Sequence, residues 1–109
     1  METLKSSDLL PHLLKRSQIL LLQYGAESCL PCHGIQRKLD HWHVLHPEGN
    51  CLYIPIETFG QLAAQEGIFT VPTVLVYIQG KLAMRESGYF SLDLLLSQIE
   101  RYIGLMEQP

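Results

Sequence analysis

Glu27-Ser28-Cys29-Leu30-Pro31-Cys32-His33-Gly34 decides how this chain is read, because its C-x-x-C pair falls where an apolar strand pattern gives way to a helical one. In a βα setting such a pair reads as a redox dithiol. The physical reason is position. Cys29 falls at the start of a helix, where unpaired backbone N–H groups and the positive end of the helix dipole favour a thiolate over a thiol, and the thiolate is the nucleophile. Cys32, one turn later, is then the resolving partner.

Before the pair, Ile19-Leu20-Leu21-Leu22-Gln23-Tyr24 is a near-continuous apolar run, the mark of a strand covered on both faces and central in its sheet. Gly25-Ala26-Glu27-Ser28 is the turn. After the pair, Ile35, Leu39, Trp42 and Leu45 recur at helical spacing opposite Arg37, Lys38, Asp40 and His41, which predicts a long amphipathic helix stopped at His46-Pro47-Glu48-Gly49-Asn50. Upstream, Leu9, Leu10, Leu13 and Leu14 predict a short helix over 7–16, with Ser7 or Asp8 as N-cap and Pro11 tolerated in its first turn.

Downstream, residues 51–57 read as a strand in which Pro55 marks an edge or a strand end, followed by a short helix near 60–66. Val71-Pro72-Thr73 heads a β-branched and aromatic strand over 74–78. Gln79-Gly80 then turns into a partner strand over 81–87 that Gly88 closes. From the N-cap Ser91, the residues Leu92, Leu95, Leu96, Ile99 and Ile103 predict a final amphipathic helix. The order α-β-α-β-α-β-β-α over residues 1–109 implies a single α/β domain. Its long crossovers and one tight hairpin predict a central mixed four-stranded sheet flanked by helices on both faces.

Composition bounds the function. With 109 residues, 47% of them hydrophobic, the chain can bury one core. A net charge of −3 gives no basic footprint, so neither nucleic acid nor an anionic membrane is an expected partner. The run 19–22 is too short to span a bilayer, and the N-terminal residues lack a signal-peptide pattern, so a cytoplasmic location is expected. Three cysteines are an odd number for a secreted disulfide framework, which agrees with a reducing compartment.

Plainer readings stand beside the redox one. Cys29 and Cys32 could instead be an inert pair or half of a metal site; zinc needs two further ligands, for which His33, His41, His43 and His46 are the nearby candidates, but the spacing is shorter than that of a usual finger, and no metal is expected. Those histidines read as a solvated helix face, with His33 close enough to perturb the dithiol when protonated. Cys51 reads as a small buried hydrophobe, or else a regulatory thiol, and Trp42 as core.

The chain resembles the thioredoxin family over nearly its whole length, in Cys29-Leu30-Pro31-Cys32 after an apolar strand, in Val71-Pro72-Thr73 heading the next-to-last strand, and in Gly88 after the hairpin. The resemblance implies a thioredoxin-like fold, a cis Val71–Pro72 bond lying against the dithiol, and a substrate groove formed by Ser28, Leu30, Pro31, Val71, Pro72, Gly88 and Tyr89. It implies that Cys29 attacks a protein disulfide and Cys32 resolves the mixed disulfide, with no bound cofactor. The expected partners are disulfide-containing proteins and a separate reductase or small-thiol reductant. Departures are also visible. The family's buried Asp is Gln23 here, its accompanying Lys aligns roughly with Tyr53, and the Trp before the first cysteine is Ser28. Gln cannot take up a proton at neutral pH. A binding or adaptor module with little turnover is therefore the alternative to a protein-disulfide reductase, and a thiol oxidase is a third.

Overall fold

The computed structural model of the chain describes residues 1–108. Alternation along one strand sorts its core into two halves. β2 (Ile19–Gly25) is buried at every position. Because side chains of a strand alternate between faces, Ile19 and Leu21 enter one apolar cluster while Leu20, Leu22 and Tyr24 enter the other. Each full burial of such a side chain stabilises by roughly 1.5–3 kcal/mol, so this strand cannot slip register without reversing both clusters.

The sheet forms around it. The strands are β1 (Glu2–Thr3), β3 (Gly49–Pro55), β4 (Thr73–Ile78) and β5 (Lys81–Ser87), in the order β1-β3-β2-β4-β5. β2 runs parallel to β3 and antiparallel to β4, and β5 returns antiparallel beside β4. The mixed sheet is as expected, with one strand more than the four read from the sequence. β1 pairs through Glu2 and Thr3 with Leu52 and Tyr53, a contact too short to leave an alternating pattern. It covers the outer side of β3 only at Leu52 and Tyr53, and Pro55 stands beyond that pairing, at the end of the strand.

Helices α1 (Leu10–Arg16) and α3 (Gly60–Gln65) cover the face carrying Leu20, Leu22 and Tyr24, through Leu10 and Ala63. The opposite face is covered by α2 (Leu30–Leu45) and α4 (Leu92–Met106), through Leu39, Trp42, Leu95, Leu96 and Ile99. The first helix is shorter than the 7–16 expected. Ser7–Leu9 forms a 3-10 turn, and the cap is Ser6, whose hydroxyl accepts from the Asp8 N–H, in place of Ser7 or Asp8. The α-helix proper begins at Leu10, and Pro11 suits its first turn because it has no N–H to leave unpaired. Ser91 caps α4 as expected, accepting from the Leu94 N–H.

At the end of α2 the stripe departs from its reading. Leu45 is 65% exposed. His46 continues the face instead, its ring stacked on Trp42 with centroids 4.7 Å apart and its nitrogens 3.5 Å from Glu48 and from Glu100. No helix of the described residues is long and apolar enough to cross a membrane.

Ile99 lies fully buried between α4 and the sheet, whereas Leu105 on the same helix is open to solvent. Ile99→Ala is expected to lower the unfolding free energy by about 2–5 kcal/mol in urea titration. Leu105→Ala should stay within about 0.5 kcal/mol of the parent.

Candidate active site

The register of the sheet gathers the site. Tyr24 near the end of β2 pairs with Thr73 at the start of β4, and Thr73 pairs in turn with Ser87 at the end of β5. The segments beyond those residues therefore leave the sheet at one end. They are the turn into the dithiol, the residues before Thr73, and Gly88-Tyr89.

Cys29 is the N-cap of α2. Its backbone is extended and its Sγ accepts from the Cys32 N–H at 3.2 Å, satisfying one of the four donors that a helix start leaves open. Pro31 occupies the first turn, where its missing N–H costs nothing. The two cysteines are joined in a disulfide with Cα atoms 5.2 Å apart. They are unequal. Cys29 is half-buried, while Cys32 is wholly excluded from solvent. Ser28, Leu30 and Pro31 beside them are exposed.

At the head of β4, the Val71–Pro72 peptide is cis. Thr73 fixes this corner from below, its hydroxyl donating to the Thr70 carbonyl at 2.5 Å and lying 2.9 Å from the Ser87 hydroxyl. The Gly88 N–H donates to the Pro72 carbonyl at 2.9 Å, and Gly88 takes φ +67°, a conformation that a side chain would strain. Pro72 is buried, Val71 and Gly88 are half-buried, and Tyr89 is fully exposed. Phe69, in the segment before Val71 and outside the groove residues that the resemblance implies, is 85% exposed.

Behind the dithiol lies Gln23. The period-two pattern of β2 puts it on the face of Ile19 and Leu21, under the first turn of α2, with no solvent exposure. Its Nε2 donates to the Cys32 carbonyl at 2.8 Å, while its Oε1 finds no partner among the described residues. Tyr53, in register with Gln23 on β3, lays its ring over Gly25, where a Cβ would come within 2.7 Å of it. Burial first, and then the Glu57 and Glu27 carboxylates, push the Tyr53 hydroxyl up, so it stays neutral and supplies no cation.

Of the histidines read as a solvated face, His41 is exposed, but the others are engaged. His33 Nε2 lies 2.7 Å from the Glu27 carbonyl and His43 Nδ1 2.7 Å from that of Gly49. The reason is that the turns at both ends of α2 leave backbone carbonyls within reach of an imidazole. Among the described residues no group of three or more His, Cys, Asp or Glu side chains could hold a metal ion.

Glu57, just beyond β3, was not legible as part of this site. Its Oε2 accepts from the Glu27 N–H at 2.7 Å. That bond, followed by one from its own N–H, holds the Glu57 carboxyl below the usual carboxylate range. The interaction is thus intact at neutral pH and is lost as pH falls through the lowered value.

No protein-family model matches the chain. It is 26% identical over 86 residues to a thioredoxin of Chlamydia trachomatis serovar D, spanning 79% of this chain and 84% of that one. Its structure is similar to that of a mutant thioredoxin from Halobacterium salinarum, with a TM-score of 0.82 at 20% identity over 93% of this chain and 88% of that one. It is likewise similar to the thioredoxin of Fasciola hepatica, with a TM-score of 0.81 at 23% identity over 93% and 98%. The fold is that of the thioredoxins. Its bonded Cys29-Leu30-Pro31-Cys32 at the helix start, together with these likenesses, supports the chemistry of a thiol–disulfide oxidoreductase.

Cys51 stands apart as the one free thiol among the described residues. It is partly buried and packs against the core, and burial above all pushes its thiol up to about 12. It should therefore stay protonated across the neutral range. In the oxidised chain at pH 8, iodoacetamide is expected to leave Cys51 unlabelled over the time in which the urea-unfolded chain takes up one label. Equal labelling rates by mass spectrometry would contradict this.

Proposed function

We propose that this chain reduces disulfides in proteins by dithiol exchange. The observation that carries the reading is the inequality of the pair: one sulfur caps a helix and reaches solvent, while the other is sealed beneath it. In the reduced chain the Cys29 thiolate attacks one sulfur of a substrate disulfide, forming a mixed disulfide and expelling the other substrate sulfur as a thiolate that takes up a proton. Cys32 then loses its proton and attacks Cys29 Sγ. The Cys29–Cys32 disulfide forms and the second substrate thiol leaves. Two electrons have passed to the substrate, and a separate reductase or small-thiol reductant must return them.

The groove for an extended substrate segment consists of Ser28, Leu30, Pro31, Val71, Pro72, Gly88 and Tyr89. Val71 supports this role, since its backbone N–H and C=O have no hydrogen-bond partner among the described residues and can pair with an added strand. The setting we infer is the cytoplasm, and the role is a contribution to cell redox homeostasis.

Gln23 favours a second reading, a binding module with little turnover, because no group that takes up a proton at neutral pH faces Cys32 from β2. Insulin-disulfide reduction driven by dithiothreitol separates the two. The intact chain should accelerate precipitation of the insulin chains and Cys29→Ser should abolish the effect; absence of activity above background in the intact chain favours the binding module. The midpoint potential decides the direction of exchange, about 30 mV corresponding to about 1.4 kcal/mol between the redox forms.

Proton loss from Cys32 should also limit the second step. Stopped-flow decay of the mixed disulfide at neutral pH is expected to be slower than in a thioredoxin with a buried carboxyl, by about 100-fold, the lower end of the scale of positioned acid–base catalysis. Equal rates would remove Gln23 from the explanation.

A further inference from the structure

The turn that delivers Cys29 is held from outside at its middle residue. Glu27 has both backbone polar groups engaged by side chains, its N–H by the Glu57 carboxylate and its C=O by the His33 imidazole, each at 2.7 Å. The Ile56 N–H donates to the Gly25 carbonyl at 2.9 Å, so residues 56–57 form a template along which 25–27 are laid. The Cys29 N–H then donates to the Ala26 carbonyl at 3.1 Å, which closes the turn, and Cys29 Sγ receives the Cys32 N–H.

We propose that Glu57 is a positioning residue for thiol exchange at Cys29, acting through the Glu27 backbone, with His33 holding the same residue from the helix side. The proposal rests on the reading of Cys29 as the attacking thiol. Glu57 is exposed and water competes for its oxygens, so global stability is not what the contact chiefly serves. Its effect is geometric. A charge-assisted bond of this length fixes the Glu27 peptide. With the peptide fixed, the Cys29 sulfur stays where the Cys32 N–H and the helix start stabilise its thiolate form. Without the carboxylate, the Glu27 N–H turns to water, the turn gains conformers, and the sulfur leaves that position. His33 takes part in its neutral form only with the proton on Nε2, because a carbonyl can only accept.

The sign of the effect separates geometry from charge. Removing a negative charge near a thiol favours its thiolate, so a purely electrostatic Glu57 gives a lower Cys29 alkylation midpoint when neutralised. A positioning Glu57 gives a higher one. The experiment is iodoacetamide alkylation of the reduced full chain against pH, with the label assigned to Cys29 by mass spectrometry and folding checked by circular dichroism. Glu57→Ala is expected to raise the midpoint and slow alkylation at pH 7 about tenfold, a loss of the kind that small misplacements of reacting groups bring. Glu57→Gln, which keeps an oxygen acceptor, should restore most of the rate. Glu57→Asp keeps the charge but loses reach, and should behave as Glu57→Ala; it also serves if the alanine variant does not fold.

An unchanged profile in Glu57→Ala, or a midpoint lowered equally in Glu57→Ala and Glu57→Gln, overturns the proposal. Alkylation needs no protein substrate. A raised midpoint in a chain that fails to reduce insulin therefore supports positioning and removes the reductase reading. An unmoved profile in a chain that does reduce insulin removes positioning alone.

Discussion

Burial of β2 on both faces and along both edges is the constraint on which this molecule depends. Its side chains feed two apolar clusters, and its backbone is paired with β3 on one side and β4 on the other. Whatever follows β2 is therefore delivered to a fixed point at the end of the sheet. The dithiol turn follows it directly. The partner strand β4 begins at that same end, so the cis Val71–Pro72 corner and the helix cap leave the sheet together.

That geometry accounts for what was legible. Apolar periodicities of two and of three to four residues marked β2, α2 and α4, because each buries a continuous face and burial leaves a pattern. Cys29 and Cys32 were legible because an apolar strand, a turn and a first-turn proline place them before any tertiary contact is known. The short β1 was not, since two paired residues carry no period. Leu45 was misread because the stripe of α2 passes to His46, whose stacking on Trp42 does the work of an aliphatic contact. Glu57 was invisible for another reason. Its partner is a backbone N–H thirty positions away, and a backbone donor has no letter in the sequence.

Gln23 shows how a polar residue can sit in such a core. Its amide donates to a helix carbonyl that is already at the dithiol, but its own oxygen is left without a partner. An unsatisfied buried acceptor costs about 1–3 kcal/mol, so the position is expensive in stability. A leucine there would fill space at less cost but would leave Cys32 without this tether. The site thus carries a local penalty on the strand that the rest of the core stabilises most.

The stacking of Trp42 on His46 has an optical consequence. Trp42 is the only tryptophan, and it lies on α2 ten positions beyond Cys32, about 15 Å along the axis at the usual helical rise. Its indole is buried against the core and faces an imidazole, not a disulfide. Emission from this chromophore will thus follow unfolding, while opening and closing of the sulfur bridge will pass almost unseen in it.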